Sequence, residues 1–389
     1  MIKDKKNKLI ICTTVPDTLL YILKGQPKYL SNYFEVIVIT GRSKKNATFI
    51  NNENIKLYEI YIKRNINIFF DFISLIQMII ILIRLKPLIV HSYTPKAGLI
   101  TMISSWIIRI PIRIHTFTGL IFPSQIGIYK KLLVFIDKLI CFCATKIIPE
   151  GLGVKNDLIS NGITSKRLEI IGNGNIAGID TSFFSDTLFT YKEALNRLGF
   201  SESILKEKFV YCFIGRLNVD KGLKELYEAF ITLPTQAFLL IAGDLDTDGK
   251  SISSELLLKL RNNPRIIFLG FIEDVRLVLK ISNVLVLPSY REGFPNVLLQ
   301  SLSMKVPAIA SNINGCNEII SNHKNGWLVE PHNYRDLADK MLFSSEIDYN
   351  SFDKIKEYAR ESIINRFEQS TYRISLLNEY YSLSKSYLK

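Results

Sequence analysis

Cysteine and histidine are scarce in this chain of 389 residues, which has five of the former and four of the latter. The cysteines are odd in number and mostly lie in apolar runs, which is typical of buried thiols and not of a disulfide framework. No histidine is grouped with cysteines at the spacing of a zinc site. We therefore expect a cytoplasmic protein that binds no metal.

A glycine-rich dinucleotide fingerprint is missing after the first apolar run, where the chain reads "CTTVPDTLLYILKG". This absence argues against a nicotinamide-dependent dehydrogenase. The composition, 48% hydrophobic and 22% charged, is that of a globular protein. A chain of this length is too long for a single ordinary hydrophobic core and is long enough for two domains.

Acidic residues are scarce in the first half of the chain. Residues 1–190 contain 24 Lys and Arg against 12 Asp and Glu, whereas residues 191–389 contain 25 against 24. Nearly all of the net charge of +13 therefore lies in the first half. This excess indicates either an anionic partner or a solvated basic face. No nucleic-acid-binding motif accompanies it, so we expect no nucleic-acid partner.

The most apolar stretch, residues 66–87, reads "INIFFDFISLIQMIIILIRLKP". A membrane-spanning helix needs about 20 nearly uninterrupted apolar residues, and Asp71 and Gln77 interrupt this one. We expect an amphipathic helix that packs on a sheet and rests its residual apolar face, near Lys63, Arg64, Arg84 and Lys86, on an anionic bilayer. A wholly buried crossover helix is the alternative.

Short β-rich runs alternate with helical patterns in both halves, as in "FEVIVIT" and "KFVYCFIG". The alternation predicts an α/β fold with two doubly wound parallel sheets in sequence and a ligand cleft between them. The Gly- and Asn-rich stretch "GNGNIAGID" reads as the linker. We therefore expect domains at 1–180 and 181–369, with a helix at about 370–389 that packs back on the first domain.

Two cations follow a predicted strand in "FIGRLNVDKGL", residues 213–223. The strand ends at Gly215, Arg216 comes next, and Lys221 begins the following helix. An arginine fork and a lysine point charge at the mouth of a strand–turn–helix suit a diphosphate. Taken alone, this segment is also compatible with two surface cations that are neighbours by chance.

A second strand end reads "PSYREGFPNVLLQ", residues 288–300. We expect Pro295 near the first position of a helix, whose amino-terminal N–H groups point at a ligand. Glu292 lies just ahead of this helix and Gln300 lies along it. Helical side chains lean toward the amino terminus, so the spacing predicts that both residues contact one bound ligand.

Together these segments resemble the ordered signature of glycosyltransferase family 4. The matching residues are Gly215-Arg216, Lys221-Gly222, Ala242-Gly243-Asp244, Glu292-Gly293-Phe294-Pro295 and Asn317-Glu318-Ile319. In the first half, "HSYTPKAG" and "RIHTFTGLIFPS" are similar to the subgroup that makes bacterial capsule, O-antigen and lipid-linked glycans. The resemblance implies a retaining enzyme with the GT-B architecture, in which two Rossmann-like domains face a cleft.

The resemblance also implies a role for each matching residue. Arg216 and Lys221 would hold the nucleotide diphosphate. Glu292 would bind hydroxyls of the donor sugar, with the backbone N–H groups of Gly293 and Phe294 nearby.

Further residues border the donor in this resemblance. In the segment Gly270-Phe271-Ile272, Phe271 and Ile272 would border its base, and Gly215, which precedes Arg216, would also bind the donor. His115 would lie near the reacting carbon or a sugar hydroxyl. Gln300 stands where family members usually have a second glutamate that grips the ribose. Glutamine keeps one acceptor and adds two donors, so it can still bond a diol.

The implied reaction moves a hexose or N-acetylhexosamine from a UDP-sugar, without a further cofactor, to a saccharide linked to undecaprenyl diphosphate. A front-face mechanism would let the departing phosphate oxygen accept the proton of the incoming hydroxyl. Two alternatives stay open. One is a sugar-nucleotide epimerase on the same double-Rossmann plan. The other is a non-catalytic sugar-nucleotide-binding subunit, which is suggested by the neutral Gln300 in place of a glutamate.

One motif competes with this interpretation. The segment "DLDTDGKSISSE", residues 244–255, fits the calcium-loop pattern D-x-D-x-D-G-x5-E. The preceding "AFLLIAG" reads as a strand, whereas a calcium loop of this type follows a helix. We therefore expect no calcium ion here.

Overall fold

The chain forms two compact units. The first runs to Gly178 and includes the C-terminal stretch from Gln369, and the second comprises the residues between them. The structure, a computed structural model, describes residues 6–63, 67–246 and 251–388, without the side chain of residue 388.

The strands are short and mostly buried. In the described parts of the chain they are β1 (Lys8–Cys12), β2 (Glu35–Gly41), β3 (Lys56–Ile60), β4 (Ile89–Tyr93), β5 (Ile112–Phe117), β6 (Lys146–Pro149), β7 (Phe209–Ile214), β8 (Ala237–Ala242), β9 (Ile266–Gly270), β10 (Val284–Leu287), β11 (Ala308–Ser311) and β12 (Gly326–Val329).

The helices alternate with these strands. They are α1 (Gln26–Ser31), α2 (Lys45–Glu53), α3 (Ile68–Leu85), α4 (Pro95–Ile107), α5 (Gly127–Cys143), α6 (Leu152–Ser160), α7 (Tyr191–Arg197), α8 (Leu223–Phe230), α9 (Ser254–Asn262), α10 (Arg276–Lys280), α11 (Asn296–Ser303), α12 (Cys316–Ile319), α13 (Tyr334–Glu346), α14 (Tyr349–Phe367) and α15 (Gln369–Leu388). Single turns of other helix types lie at Thr18–Ile22, Phe122–Ser124 and Val219–Lys221.

The first unit is built on a sheet of six parallel strands in the order β3-β2-β1-β4-β5-β6. Its central strands are apolar along their length because helices cover both faces, so alternate side chains on both sides are buried. In β1, for example, Ile11 pairs with Val38 of β2 on one side and with His91 of β4 on the other.

The second unit repeats this plan with the order β12-β11-β10-β7-β8-β9, again parallel. The chain leaves β7 toward β8 and later returns to the other side of β7 as β10. The carboxyl ends of β7 and β10 therefore flank a topological switch point, where α/β sheets bind their ligands. The two doubly wound sheets confirm the predicted fold class.

The C-terminal helix α15 packs on the first unit, as expected. Tyr372, Leu376 and Tyr380 lie in the core of that unit. The Tyr380 hydroxyl is 2.7 Å from Nδ1 of His91 on β4, and His91 Nε2 is 2.7 Å from the Thr116 hydroxyl on β5. A buried polar chain thus joins the last helix to the middle of the first sheet.

Helix α3 is only partly buried. It begins after Asn67, whose side chain accepts a hydrogen bond from the Phe70 N–H, and it packs inward through Ser74, Met78 and Leu82. By length and composition it could cross a membrane, with a mean hydropathy of 2.3, and 22% of it is buried in the protein. The alternative prediction of a wholly buried crossover helix is therefore wrong for α3.

The five cysteines are free thiols, and all are buried: Cys12, Cys141, Cys143, Cys212 and Cys316.

Candidate functional site

The candidate site lies in the second unit, at the switch point between β7 and β10. After β7 the chain passes Gly215 and Arg216 and makes a helical turn at Val219–Lys221 before α8. After β10 it passes Glu292 and begins α11 at Asn296. Parallel neighbouring strands end at the same edge of a sheet, so these two loops lie side by side.

Lys221 and Glu292 form an ion pair across this switch point. Lys221 Nζ donates a hydrogen bond of 2.5 Å to Glu292 Oε1. The side chains are only 19% and 12% exposed, so water screens the pair weakly. Lys221 has three N–H donors and uses one here, and within the described parts of the chain Glu292 Oε2 receives no hydrogen bond. The pair therefore keeps two donors and one carboxylate oxygen for a ligand.

Close backbone contacts hold the loops together. Gly222 has a φ of 66°, and a Cβ there would lie 2.0 Å from the Pro288 carbonyl oxygen. Gly315 has a φ of 79°, and a Cβ there would lie 1.9 Å from the Gly293 carbonyl oxygen. Only glycine permits both the left-handed backbone and this approach. The start of α8 is thereby pressed against the end of β10, which places Lys221 beside Glu292.

Arg216 has a partner that the sequence interpretation missed. Its Nη1 donates a hydrogen bond of 2.9 Å to Asp246 Oδ2, and Asn218 Nδ2 donates one of 2.9 Å to the same oxygen. The Asp246 side chain is 5% exposed while that of Arg216 is 56% exposed. A buried carboxylate thus anchors an accessible guanidinium. A backbone bridge between Leu217 and Leu245 brings the two loops together, which no local sequence signal indicates.

The segment with the calcium-loop pattern follows strand β8, as expected from its sequence. Residues 247–250 of this pattern lie outside the described residues. Helix α9 begins at Ser254, where the Ser253 side chain accepts a hydrogen bond from the Leu256 N–H. Across the described ranges, no group of three or more His, Cys, Asp or Glu side chains is arranged to hold a metal ion.

Gln300 lies one turn into α11 and is half-buried. Its side chain makes no hydrogen bond with any residue that the structure describes, so both its carbonyl and its amide can serve a ligand. Pro295 lies next to the first helical residue of α11, as expected, because it is the N-cap of this helix. The Pro295 backbone is extended there, with a φ of −71° and a ψ of 108°.

The neighbouring predicted residues differ in accessibility. Phe294 is 7% exposed, and its ring packs against Phe367 with centroids 5.5 Å apart. Its side chain therefore belongs to the core, and only its backbone faces the loop. Gly293 is half-buried beside it.

Phe271 and Ile272 follow β9 on the same edge of the sheet. The Phe271 ring is 59% exposed, and Ile272 packs partly against the core. The Gly243 N–H donates a hydrogen bond of 2.7 Å to the Gly270 carbonyl, which joins the ends of β8 and β9. An exposed aromatic ring on this edge is available to a flat ligand group.

Tyr290 supports the loop that carries Glu292, a role that the sequence interpretation missed. Its ring stacks on His332 at 3.7 Å, its hydroxyl donates to a carboxylate oxygen of Glu225 on α8, and its N–H donates to the Asp220 carbonyl. Burial, followed by the Glu225 carboxylate, raises the pKa of Tyr290. The phenol therefore stays protonated and ties this loop to α8.

Two buried hydroxyls at this edge lack partners. Ser289 follows β10 and Ser311 ends β11, and the two residues are 0% and 1% exposed. Among the described residues, neither Oγ has a hydrogen-bond partner. Such atoms are unusual in a folded protein and call for an explanation by a ligand or water.

His115 lies in the first unit, on β5, and is 1% exposed. Its Nδ1 is 2.9 Å from the Ser92 hydroxyl, and within the described residues its Nε2 has no hydrogen-bond partner. Burial lowers the pKa of His115 to about 3, against the opposing effect of Ser92. A Cβ on Gly98 would lie 2.3 Å from its Cε1, so α4 closes directly over a neutral imidazole.

The structure therefore places Arg216, Lys221, Glu292 and Gln300 on the segments that follow β7 and β10, and it brings Lys221 and Glu292 into contact. Both cations, one oxygen of Glu292 and the amide of Gln300 have hydrogen-bonding capacity left for a ligand. These groups can bind an anionic ligand that also carries hydroxyls. Each cation is paired with an acid, so the ligand would enter a site whose charges are already positioned.

Known proteins are similar to this chain in sequence and in fold. Residues 197–362 match the family described as Glycosyl transferases group 1. The capsular polysaccharide biosynthesis glycosyltransferase CapM of Staphylococcus aureus is 30% identical over 342 residues, covering 87% of each chain. A UDP-Gal:alpha-D-GlcNAc-diphosphoundecaprenol alpha-1,3-galactosyltransferase of Escherichia coli is 29% identical over 321 residues, covering 78% of each chain.

Among solved structures, Anabaena Alr3699/HepE in complex with UDP-glucose has the same fold. The TM-score is 0.81 at 18% identity, and the likeness covers 97% of this chain and 100% of that one. A sucrose-phosphate synthase from Thermosynechococcus elongatus has a TM-score of 0.79 at 16% identity, with 97% and 100% coverage.

Proposed function

We propose that this chain transfers a hexose or N-acetylhexosamine from a UDP-sugar to a saccharide linked to undecaprenyl diphosphate. The chain belongs to the group 1 glycosyltransferases of GT-B fold that build bacterial capsule and O-antigen. The observation that carries the proposal is the Lys221–Glu292 pair of 2.5 Å at the switch point of the second sheet. It combines a cation for a diphosphate with a carboxylate for sugar hydroxyls.

The donor diphosphate is assigned to the two cations. Lys221 donates its two remaining N–H groups to the phosphate oxygens, and the exposed guanidinium of Arg216 adds a fork. Charge develops on the leaving diphosphate as the glycosidic bond breaks, and fixed cations lower the barrier by stabilising that charge. This is the function that a divalent metal has in other sugar-nucleotide enzymes, so we propose that the reaction needs no metal or other cofactor.

The sugar and the nucleoside are assigned to separate groups. Glu292 accepts sugar hydroxyls through Oε2 while Oε1 stays with Lys221. Gln300 bonds the ribose hydroxyls, and the exposed Phe271 ring with Ile272 borders the uracil. The backbone N–H groups of Gly293 and Phe294 assist at the sugar.

The acceptor hydroxyl attacks on the face from which the diphosphate departs, so the anomeric configuration is retained. The departing phosphate oxygen takes the acceptor proton, which removes the need for a protein base. His115 is assigned no acid–base step, because burial lowers its pKa and keeps the imidazole neutral. A membrane-borne acceptor places the reaction at the cytoplasmic face of the inner membrane.

The experiment is a mass-spectrometric turnover assay. UDP-glucose, UDP-galactose and their N-acetylated forms are each incubated with undecaprenyl-diphosphate-linked mono- and disaccharides. Incorporation of one sugar, lost in Lys221→Met, is the expected result. Conversion of one UDP-sugar to another without acceptor would establish the epimerase instead. Binding of a UDP-sugar with no turnover on any acceptor would establish a non-catalytic subunit.

A further inference from the structure

The first unit carries three helices on one face of its sheet. Helices α3, α4 and α5 each connect a strand to a later one in the direction β3, β4, β5, β6. Parallel crossovers are right-handed, so the three helices share one face. Helix α4 packs against both α3 and α5, which makes it the middle of a three-helix layer whose outer surface faces away from the sheet.

Helix α3 presents an apolar stripe on this outer surface. The stripe consists of large side chains that repeat at helical spacing: Phe69, Phe72, Ile76, Ile80 and Ile83. Phe69 and Phe72 are 70% and 60% exposed. The opposite side of the helix already packs inward, so the stripe has no partner within the described protein.

Helix α5 presents a second stripe, formed by Ile128, Leu132, Phe135 and Phe142. Phe135 and Phe142 are 63% and 64% exposed. The Trp106 ring at the end of α4 lies 5.8 Å from that of Phe142, so α4 adds an aromatic group between the two stripes. We call the nine stripe residues and Trp106 the apolar face.

Acidic side chains are scarce on the described parts of these helices. Residues 61–145 contain ten Lys and Arg but only two acids. Asp71 pairs with Lys96 at 2.9 Å. Asp137 is 7% exposed on the inner side of α5.

Basic side chains instead border the apolar face. Lys131 and Lys138 are exposed one heptad apart beside the α5 stripe, and Arg84 and Lys86 are exposed at the end of α3. An apolar surface with a basic border has the chemistry of a helix surface that lies on an anionic membrane.

We propose that the apolar face docks on an anionic lipid bilayer, with α3 and α5 lying in its interface. The inference deepens the proposed function, because it rests on a membrane-borne acceptor, and it identifies the surface that brings the enzyme to that acceptor. A second copy of the chain is a poorer occupant, since a two-fold contact would bring the basic borders of both copies together. The inward packing of α3 likewise fits a helix along the membrane better than one across it.

The test is flotation of the full-length chain with vesicles, with no donor or acceptor present. We expect binding to phosphatidylcholine vesicles that contain phosphatidylglycerol, and weak binding to phosphatidylcholine alone. The triple variant Phe72→Ser, Ile80→Ser, Phe135→Ser should lower the bound-to-free ratio at least tenfold. Each changed side chain is exposed, so the fold is retained, which a thermal melt verifies.

A matched triple variant controls for the loss of apolar surface in general. Ile159, Leu188 and Leu258 are 56%, 51% and 60% exposed and lie outside the apolar face, and their change to Ser should leave flotation unaltered. Lys131→Gln with Lys138→Gln should remove the preference for the anionic vesicles while keeping the apolar contribution.

Three results would overturn the inference. The first is absence of vesicle binding, and the second is equal binding by both triple variants. The third is a concentration-dependent dimer, measured by sedimentation, that the face variant abolishes without any lipid effect. A chain that turns over a water-soluble acceptor analogue but does not float would keep the proposed function and lose this inference. A chain that floats with the vesicles but turns over no acceptor would keep this inference and lose the proposed function.

Discussion

Replacement of Lys221 by methionine tests the centre of the candidate site. Methionine preserves the unbranched shape of the side chain and removes only the charge and the donors. Because Lys221 and Glu292 are 19% and 12% exposed, the change leaves a carboxylate unpaired in a poorly solvated place. Breaking a fully buried pair costs about 3–5 kcal/mol; for this partly exposed pair we expect about 1–2 kcal/mol of lost unfolding free energy.

Catalysis should suffer in addition to stability. The variant loses two N–H groups assigned to the diphosphate, so turnover should fall at least about tenfold, equivalent to about 1.4 kcal/mol of transition-state stabilisation. The assay is donor saturation by mass spectrometry on protein shown to be folded. Unchanged kinetics in the folded variant would remove Lys221 from the site.

A double-mutant cycle separates the ion pair from other effects. Glu292→Gln keeps the shape of the partner and removes its charge, so it should rescue part of the stability lost in Lys221→Met. We expect a coupling energy of about 1–2 kcal/mol in chemical denaturation, within the range for residues in contact. Additive stabilities would refute the contact. Glu292→Gln alone should lower turnover, because its carboxylate is assigned to the reacting sugar.

Further predictions concern the ribose, the arginine and the buried histidine. Gln300→Leu should raise the donor KM by leaving ribose hydroxyls unpaired, a cost of about 1–3 kcal/mol, whereas Gln300→Glu should be tolerated; equal donor saturation curves for Gln300→Leu and the parent would remove this residue from the nucleotide. Asp246→Asn should release Arg216 and raise the donor KM several-fold, while the free energy of unfolding falls by no more than about 1 kcal/mol. An unchanged KM would show that the contact with Asp246 does not position Arg216 for the donor. The pKa of His115, lowered from 6.5 to about 3, means that its contribution to stability is complete above pH 6.5 and is lost as the pH falls toward 3, by up to about 1.4 kcal/mol per unit. His115→Gln should flatten this acid-side loss in thermal melts. Asp137, whose pKa burial raises to about 7, acts in the opposite direction in both proteins. Buried His91, whose pKa is lowered by burial and then by His115, adds to the acid-side loss, so the difference between the two proteins reports His115 together with its effect on His91.

The strand ends were predictable because buried parallel strands are apolar along their whole length. The runs before Gly215 and Pro288 end at a glycine or proline, and doubly wound topology brings such ends to one edge of a sheet. Arg216 and Lys221 after one strand, and Glu292 after another, could therefore be assigned to one site before their distances were known.

The partner of Arg216 was not predictable in this way. Asp246 follows β8, and only the pairing of two loops brings it to Arg216. In the sequence, Asp246 and the acidic residues around it instead match the pattern of a calcium loop. The second apolar stripe was missed for a related reason, because Lys130 and Lys131 interrupt the α5 run and conceal the periodicity of the residues around them.

The His115 environment also depends on tertiary packing. A histidine on a strand is either a site residue or a core residue, and the sequence does not distinguish the two. The close approach of Gly98 on α4 to the imidazole ring decides its burial, and burial in turn decides its charge.

The paired cations have a physical consequence for the candidate site. A charged side chain in a poorly solvated place is costly unless a group of opposite charge lies beside it. Glu292 is that group for Lys221, so the cation assigned to the diphosphate is held in position before a donor binds. Since this pairing occupies only one oxygen of Glu292, the other oxygen remains for the sugar. One contact therefore orients both side chains, and a donor that offers both a diphosphate and a hydroxyl satisfies the remaining donors and acceptor without breaking it.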